Sequence, residues 1–119
     1  MFDQLGCVKC HIPELPSSRG PVQAFTDLLL HEMGPDLADN LAFGIPQASP
    51  SSPVTTTREF RTQPLWGVRL SAPFLHDGRA ETLLEAVELH GGEAQAIRDA
   101  FAALSPDEKN DVIAFLEHL

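Results

Sequence analysis

Cys7-Val8-Lys9-Cys10-His11 is a C-x-x-C-H run, and its two cysteines are the only ones in the chain. That spacing marks a c-type haem attachment site. The two thiols add to the haem vinyl groups as thioethers. His11, fixed beside the second thioether, then reaches the iron as proximal ligand. A ligating imidazole needs an acceptor for its other ring N–H, such as a backbone carbonyl. The cofactor expected is one covalent haem c, on Cys7, Cys10 and His11.

Other chemistries use the same residues. A redox C-x-x-C pair needs a thioredoxin-like βαβ setting, and no such pattern follows the motif. A zinc site could recruit Cys7, Cys10 and His11, but no fourth ligand follows at finger-like spacing.

The chain has 119 residues, enough for one domain over 1–119, and 43% of them are hydrophobic. Eight basic against 17 acidic residues give a net charge of −9, which disfavours nucleic acid as a partner. An acidic cytochrome suits a redox partner with a basic docking face. No stretch is long and apolar enough to span a membrane. No secretory signal precedes the motif, although c-type haem is normally attached outside the cytoplasm. The expectation is the C-terminal part of a longer exported, periplasmic protein.

The segment 1–11 reads as the end of a helix running into the motif. Residues 12–21 carry three prolines and a Ser-Ser-Arg-Gly turn, so they read as loop. Residues 25–30 form an apolar run too short to assign to helix or strand. Residues 34–63 are the least regular part, and 46–57 read either as a wrap around a haem edge or as a disordered insertion. Thr82 and Glu85 form a capping-box pattern for a helix stopping at Gly91-Gly92. Ala94, Ile97, Phe101 and Leu104 make one apolar stripe. Ser105-Pro106-Asp107-Glu108 starts a last helix with Val112, Ile113, Leu116 and Leu119 on one face. Helices without a strong strand signal give an all-α expectation: a cytochrome c fold with covalent haem and a long irregular loop.

Several further stretches carry a resemblance. They are Phe60-Arg61-Thr62-Gln63-Pro64-Leu65-Trp66-Gly67-Val68-Arg69, Ala72-Pro73-Phe74-Leu75-His76-Asp77-Gly78-Arg79 and Thr82-Leu83-Leu84-Glu85-Ala86-Val87. Together they resemble the C-terminal haem domain of bacterial di-haem cytochrome c peroxidases. The chain is closer still to the di-haem oxidoreductases, also called thiol oxidoreductases. Asp27-Leu28-Leu29-Leu30-His31-Glu32-Met33-Gly34 and His90-Gly91-Gly92-Glu93-Ala94 are similar to stretches of that family. The resemblance implies a parent with two haems, in which the C-terminal haem passes electrons to a peroxide-reacting haem in an upstream domain. With one C-x-x-C-H, this chain is expected to carry electrons rather than complete peroxidase turnover.

The sixth iron position decides between a carrier and a catalyst. In the peroxidases the distal methionine follows the helix that begins Thr-Leu-x-Glu-Ala-Val. The resemblance places His90 at that position, which implies His11/His90 ligation and a lower potential than a His/Met pair. A helix C-terminal histidine acting on the helix dipole is the plain alternative for His90. Met33 and His76 are secondary ligand candidates; His31 ranks below them, and His118 reads as a solvated terminal residue. The absence of tyrosine excludes the tyrosine-ligated variant of these peroxidases. Arg61, ahead of Arg69 and Arg79, is the expected haem propionate partner. Trp66 reads as core, and Glu93 as a first-turn helix acid. The alternative function is a catalytic haem centre with an open or displaceable sixth ligand.

Overall fold

Two capping boxes fix the best-defined helices. Thr82 Oγ1 accepts the Glu85 N–H at 3.2 Å, and Glu85 Oε2 accepts the Thr82 N–H at 3.0 Å. This pair starts α2 (Leu83–Glu88), which buries Leu83 and Ala86. Ser105 and Glu108 repeat the arrangement ahead of α4 (Pro106–Glu117), with Pro106 in the first turn. Each box satisfies amide groups that a helix start leaves without partners. The computed structural model describes residues 1–39 and 56–119. Most of the Ser/Thr/Pro-rich stretch expected to wrap or to be disordered therefore lies outside the described residues.

The described elements begin with a short α1 (Phe2–Leu5). Gly6 ends it at φ 95°, a left-handed conformation that favours glycine. A 3₁₀ turn over Cys7–Lys9 then carries the motif. Strands β1 (Leu30–Glu32) and β2 (Glu59–Arg61) follow, then α2, a 3₁₀ turn at Gly92–Ala94, α3 (Gln95–Ala102) and α4.

The all-α expectation is incorrect. Leu30, His31 and Glu32 pair antiparallel with Arg61, Phe60 and Glu59, so the molecule mixes helices with a two-stranded sheet. The apolar run before β1 cannot be helical, because Phe25 and Leu28 sit at φ 52° and 60°. Buried Thr26 ties that bend to β2: its hydroxyl donates to the Thr62 carbonyl at 2.7 Å and accepts the Leu28 N–H at 2.9 Å.

The core is the cluster Phe2, Leu83, Phe101, Val112 and Leu116. It draws one face from each helix, as the apolar stripes of α3 and α4 predict. Phe101, 1% exposed, is the largest fully buried side chain among the described residues. Burying such a side chain contributes about 1.5–3 kcal/mol. Phe2 and Phe115 lie 5.0 Å apart between ring centroids, which brings the last helix onto the segment leading into the haem motif. Among the described residues no helix is long and apolar enough to cross a membrane.

Candidate haem site

The motif turn closes on itself through the Cys7 carbonyl, which accepts the His11 N–H at 2.9 Å and the Cys10 N–H at 3.3 Å. Cys7 and Cys10 are free, half-buried thiols. Burial pushes the Cys7 thiol above its ordinary range. Burial, then the Asp27 and Glu93 carboxylates, does the same for Cys10. Both sulfurs are therefore held as neutral thiols, unlike the thiolates of a reactive redox pair.

His11 Nδ1 donates to the Phe25 carbonyl at 2.9 Å. That bond assigns the tautomer and leaves Nε2 as the lone-pair nitrogen. Phe25 reaches it because residues 12–13 and 25–26 run together: the Phe25 N–H donates to Pro13 O at 3.3 Å and the Thr26 N–H to Ile12 O at 3.0 Å. Burial lowers the His11 pKa, with the nearby His90 acting in the same direction, so the ring is neutral at neutral pH.

His90 has the same arrangement. Its Nδ1 donates to the Ala86 carbonyl at 2.6 Å, one turn back in α2, again leaving Nε2 free for a ligand. Burial lowers its pKa. A neutral ring does little for a helix dipole, which acts on a cation. His118 supplies the contrast: it makes the same bond, to Ala114 O at 2.6 Å, on the exposed end of α4.

The other candidates have different surroundings. His76 stacks on Phe60 at 4.0 Å between ring centroids and lies 4.0 Å from Asp77. The Met33 backbone packs against Gly91, where a Cβ would lie 2.7 Å from Met33 O. Arg61 is exposed on β2, its guanidinium 3.4 Å from Gln63 Oε1. Arg79 is held by Asp77 and the Asp36 carbonyl. Trp66 is not core: it is 53% exposed.

The sequence reading missed a polar cluster beside Cys10. His31 Nε2 lies 2.8 Å from Asp27 Oδ2, and its Nδ1 lies 2.8 Å from Glu93 Oε2 and 3.9 Å from Cys10 Sγ. The i, i+4 spacing of Asp27 and His31 was a faint signal; nothing local pointed to Glu93. Glu93 is thus a cross-link rather than a plain helix acid. Cys10, Asp27 and His31 have donor atoms close enough for a metal ion. However, the carboxylates sit on opposite nitrogens of one ring, and a single ion can take only one of them.

The residues fit a haem. Two thiols share one turn, two neutral imidazoles each keep Nε2 free, and the half-buried Leu5, Val8 and Phe25 around the motif pack against the core. The di-haem oxidoreductase family matches residues 1–119 from end to end. The chain belongs to the di-haem oxidoreductases. A curated relative, the methylamine utilization protein MauG of Methylorubrum extorquens, is 31% identical over 120 residues. The alignment covers 96% of this chain and 31% of the relative's length. No solved structure matches. The family is one of haem-related, peroxidase-like oxidoreductases, and the chain spans about a third of the length of that relative.

Proposed function

We propose that this chain is a one-haem c-type electron-transfer module of a di-haem oxidoreductase. Residues 1–119 form a single domain, the C-terminal part of a longer parent whose upstream domain carries the second haem. Cys7 and Cys10 hold the haem as thioethers, His11 is the proximal ligand and His90 the distal one. Arg61, exposed at the end of β2, is assigned to a haem propionate. Bound haem supplies a one-electron iron couple.

The observation that carries this reading is the matched commitment of the two imidazoles. Phe25 O and Ala86 O each take an Nδ1 proton, at 2.9 and 2.6 Å. Each bond fixes a ring orientation and raises the basicity of the opposite nitrogen. Burial keeps both rings neutral, the form that can donate a lone pair. Attachment through thioethers calls for an extracytoplasmic setting. The net charge of −9 suits a redox partner with a basic docking face.

A second reading is favoured by the burial of His90, which has no ion pair among the described residues: a neutral ligand is displaceable, and the centre would then be catalytic. The haem-loaded protein separates the two. Haem staining that survives a denaturing gel, with a low-spin ferric spectrum indifferent to peroxide, is expected of the carrier. A high-spin spectrum with rapid peroxide reaction would overturn it.

A further inference from the structure

The Asp27–His31–Glu93 chain joins three separated parts of the site. Asp27 belongs to the bend that also presents Phe25 to His11. His31 lies on β1, and its ring comes within 3.9 Å of Cys10 Sγ. Glu93 follows His90 by three residues and begins the approach to α3. Its second oxygen, Oε1, accepts the Glu32 N–H at 3.0 Å. Asp27 Oδ1 is occupied as well, by the Leu29 N–H at 2.9 Å. Both carboxylates are thus oriented by backbone before they meet the imidazole. A ring with a carboxylate on each nitrogen donates both N–H groups, which makes both bonds charge-assisted.

The backbone beneath the cluster is packed as closely. A Cβ on Gly92 would overlap the Glu32 carbonyl, and one on Gly34 would meet Gly92 N at 3.0 Å. So the end of β1 with the following Met33-Gly34 and the segment His90-Gly91-Gly92-Glu93 are pressed together twice, by glycine backbone and by the His31–Glu93 pair.

We propose that His31 and Glu93 are positioning residues for the distal histidine: their bond clamps the segment after His90 onto β1 and so sets how readily the sixth iron position opens. The inference rests on the reading of His90 as distal ligand. Neither residue is assigned as an iron ligand. The clamp acts by restricting the backbone on which His90 rides, because Ala86 O fixes the ring only at its helix side.

The test is the rate at which cyanide binds the ferric, haem-loaded protein. Glu93→Ala and His31→Gln are each expected to speed binding about fivefold, the scale of one partly exposed charge-assisted bond. The double variant should be no faster than the singles, since both remove the same bond. Glu117→Ala, an exposed acid at the far end of α4, should leave the rate unchanged. A through-space charge effect is distinguishable, because Glu93→Ala removes a negative charge and His31→Gln a positive one. The clamp predicts the same direction for both; opposite directions, or no change in either, would overturn it. His90→Ala separates this from the underlying reading. If that variant opens the iron while Glu93→Ala and His31→Gln change nothing, the clamp alone fails. If His90→Ala leaves the iron as it was, the ligand assignment fails and the clamp with it.

Discussion

Phe25 delivers its carbonyl oxygen to His11 Nδ1 at 2.9 Å from a backbone held at φ 52°. A bulky residue in that region stores about 1–2 kcal/mol of steric cost. The surroundings hold it there: the Phe25 ring meets Phe2 at 6.3 Å and Phe115 at 5.8 Å, both edge-on. Aromatic packing therefore supports the orientation of the His11 ring. Phe25→Ala should lower stability by about 2–3 kcal/mol, discounted from a full core deletion because the ring is half-buried. Denaturant unfolding measures it. A cost near zero would mean that the bend is held by its hydrogen bonds alone.

The glycine pair after His90 makes a sharper steric prediction. Gly92 has φ 52°, and its missing side chain is where the Glu32 carbonyl lies. Gly92→Ala should destabilise by at least about 2 kcal/mol, combining left-handed strain with overpacking against rigid backbone. Gly67→Ala is the control, since it has a similar φ of 65° with open space around it. Equal midpoints for the two variants in denaturant would show that backbone contact at Gly92 adds nothing.

The capping boxes give stability a definite dependence on pH. Bonds from the Glu81 and Thr82 N–H groups hold the Glu85 carboxyl below its ordinary range. The Ser105 N–H, then the Ser105 hydroxyl, does the same for Glu108. A carboxyl whose pKa is lower in the folded than in the unfolded state stabilises fully above the unfolded value, 4.5 here. That contribution is lost as pH falls through the folded value. Thermal melting should therefore decline on acidification through and below pH 4.5, and less steeply in Glu108→Gln. An identical acid limb in that variant would contradict the assignment.

How much of this was legible in the sequence follows from the reach of each interaction. The capping pairs Thr82–Glu85 and Ser105–Glu108 span three residues, and the helices begin where the pattern placed them, although α2 ends at Glu88, short of the expected Gly91 stop. Of the apolar stripe read for the next helix, Phe101 is the residue α3 buries, while Leu104 lies past its end at Ala102. The β1–β2 pairing was not, because it joins segments far apart whose apolar runs are too short to show a period. The left-handed backbone at Phe25 and Leu28 runs against the ordinary preference of such residues. His31 and Glu93 meet across 62 positions, with no local pattern to announce them. Trp66 was expected inside because large aromatics usually are, yet it lies on the exposed turn before Val68–Leu70. The turn of Cys7 to His11 was legible, while Phe25 as its acceptor required the fold.

Attachment itself is tested at the second thiol. Cys10→Ala leaves Cys7 as the single anchor and should reduce haem retained on a denaturing gel, shifting the spectrum toward that of a haem with one vinyl group unreacted. Full retention with an unchanged spectrum would mean that Cys10 forms no bond to the cofactor.

The central claim is that His11 and His90 are the two axial ligands, and His90→Ala tests it most directly. The ferric haem-loaded protein should be low-spin and six-coordinate, by absorption and by electron paramagnetic resonance. In His90→Ala it should become high-spin and bind cyanide or added imidazole readily, with imidazole restoring the low-spin spectrum. A six-coordinate low-spin spectrum unchanged by the substitution would contradict the account.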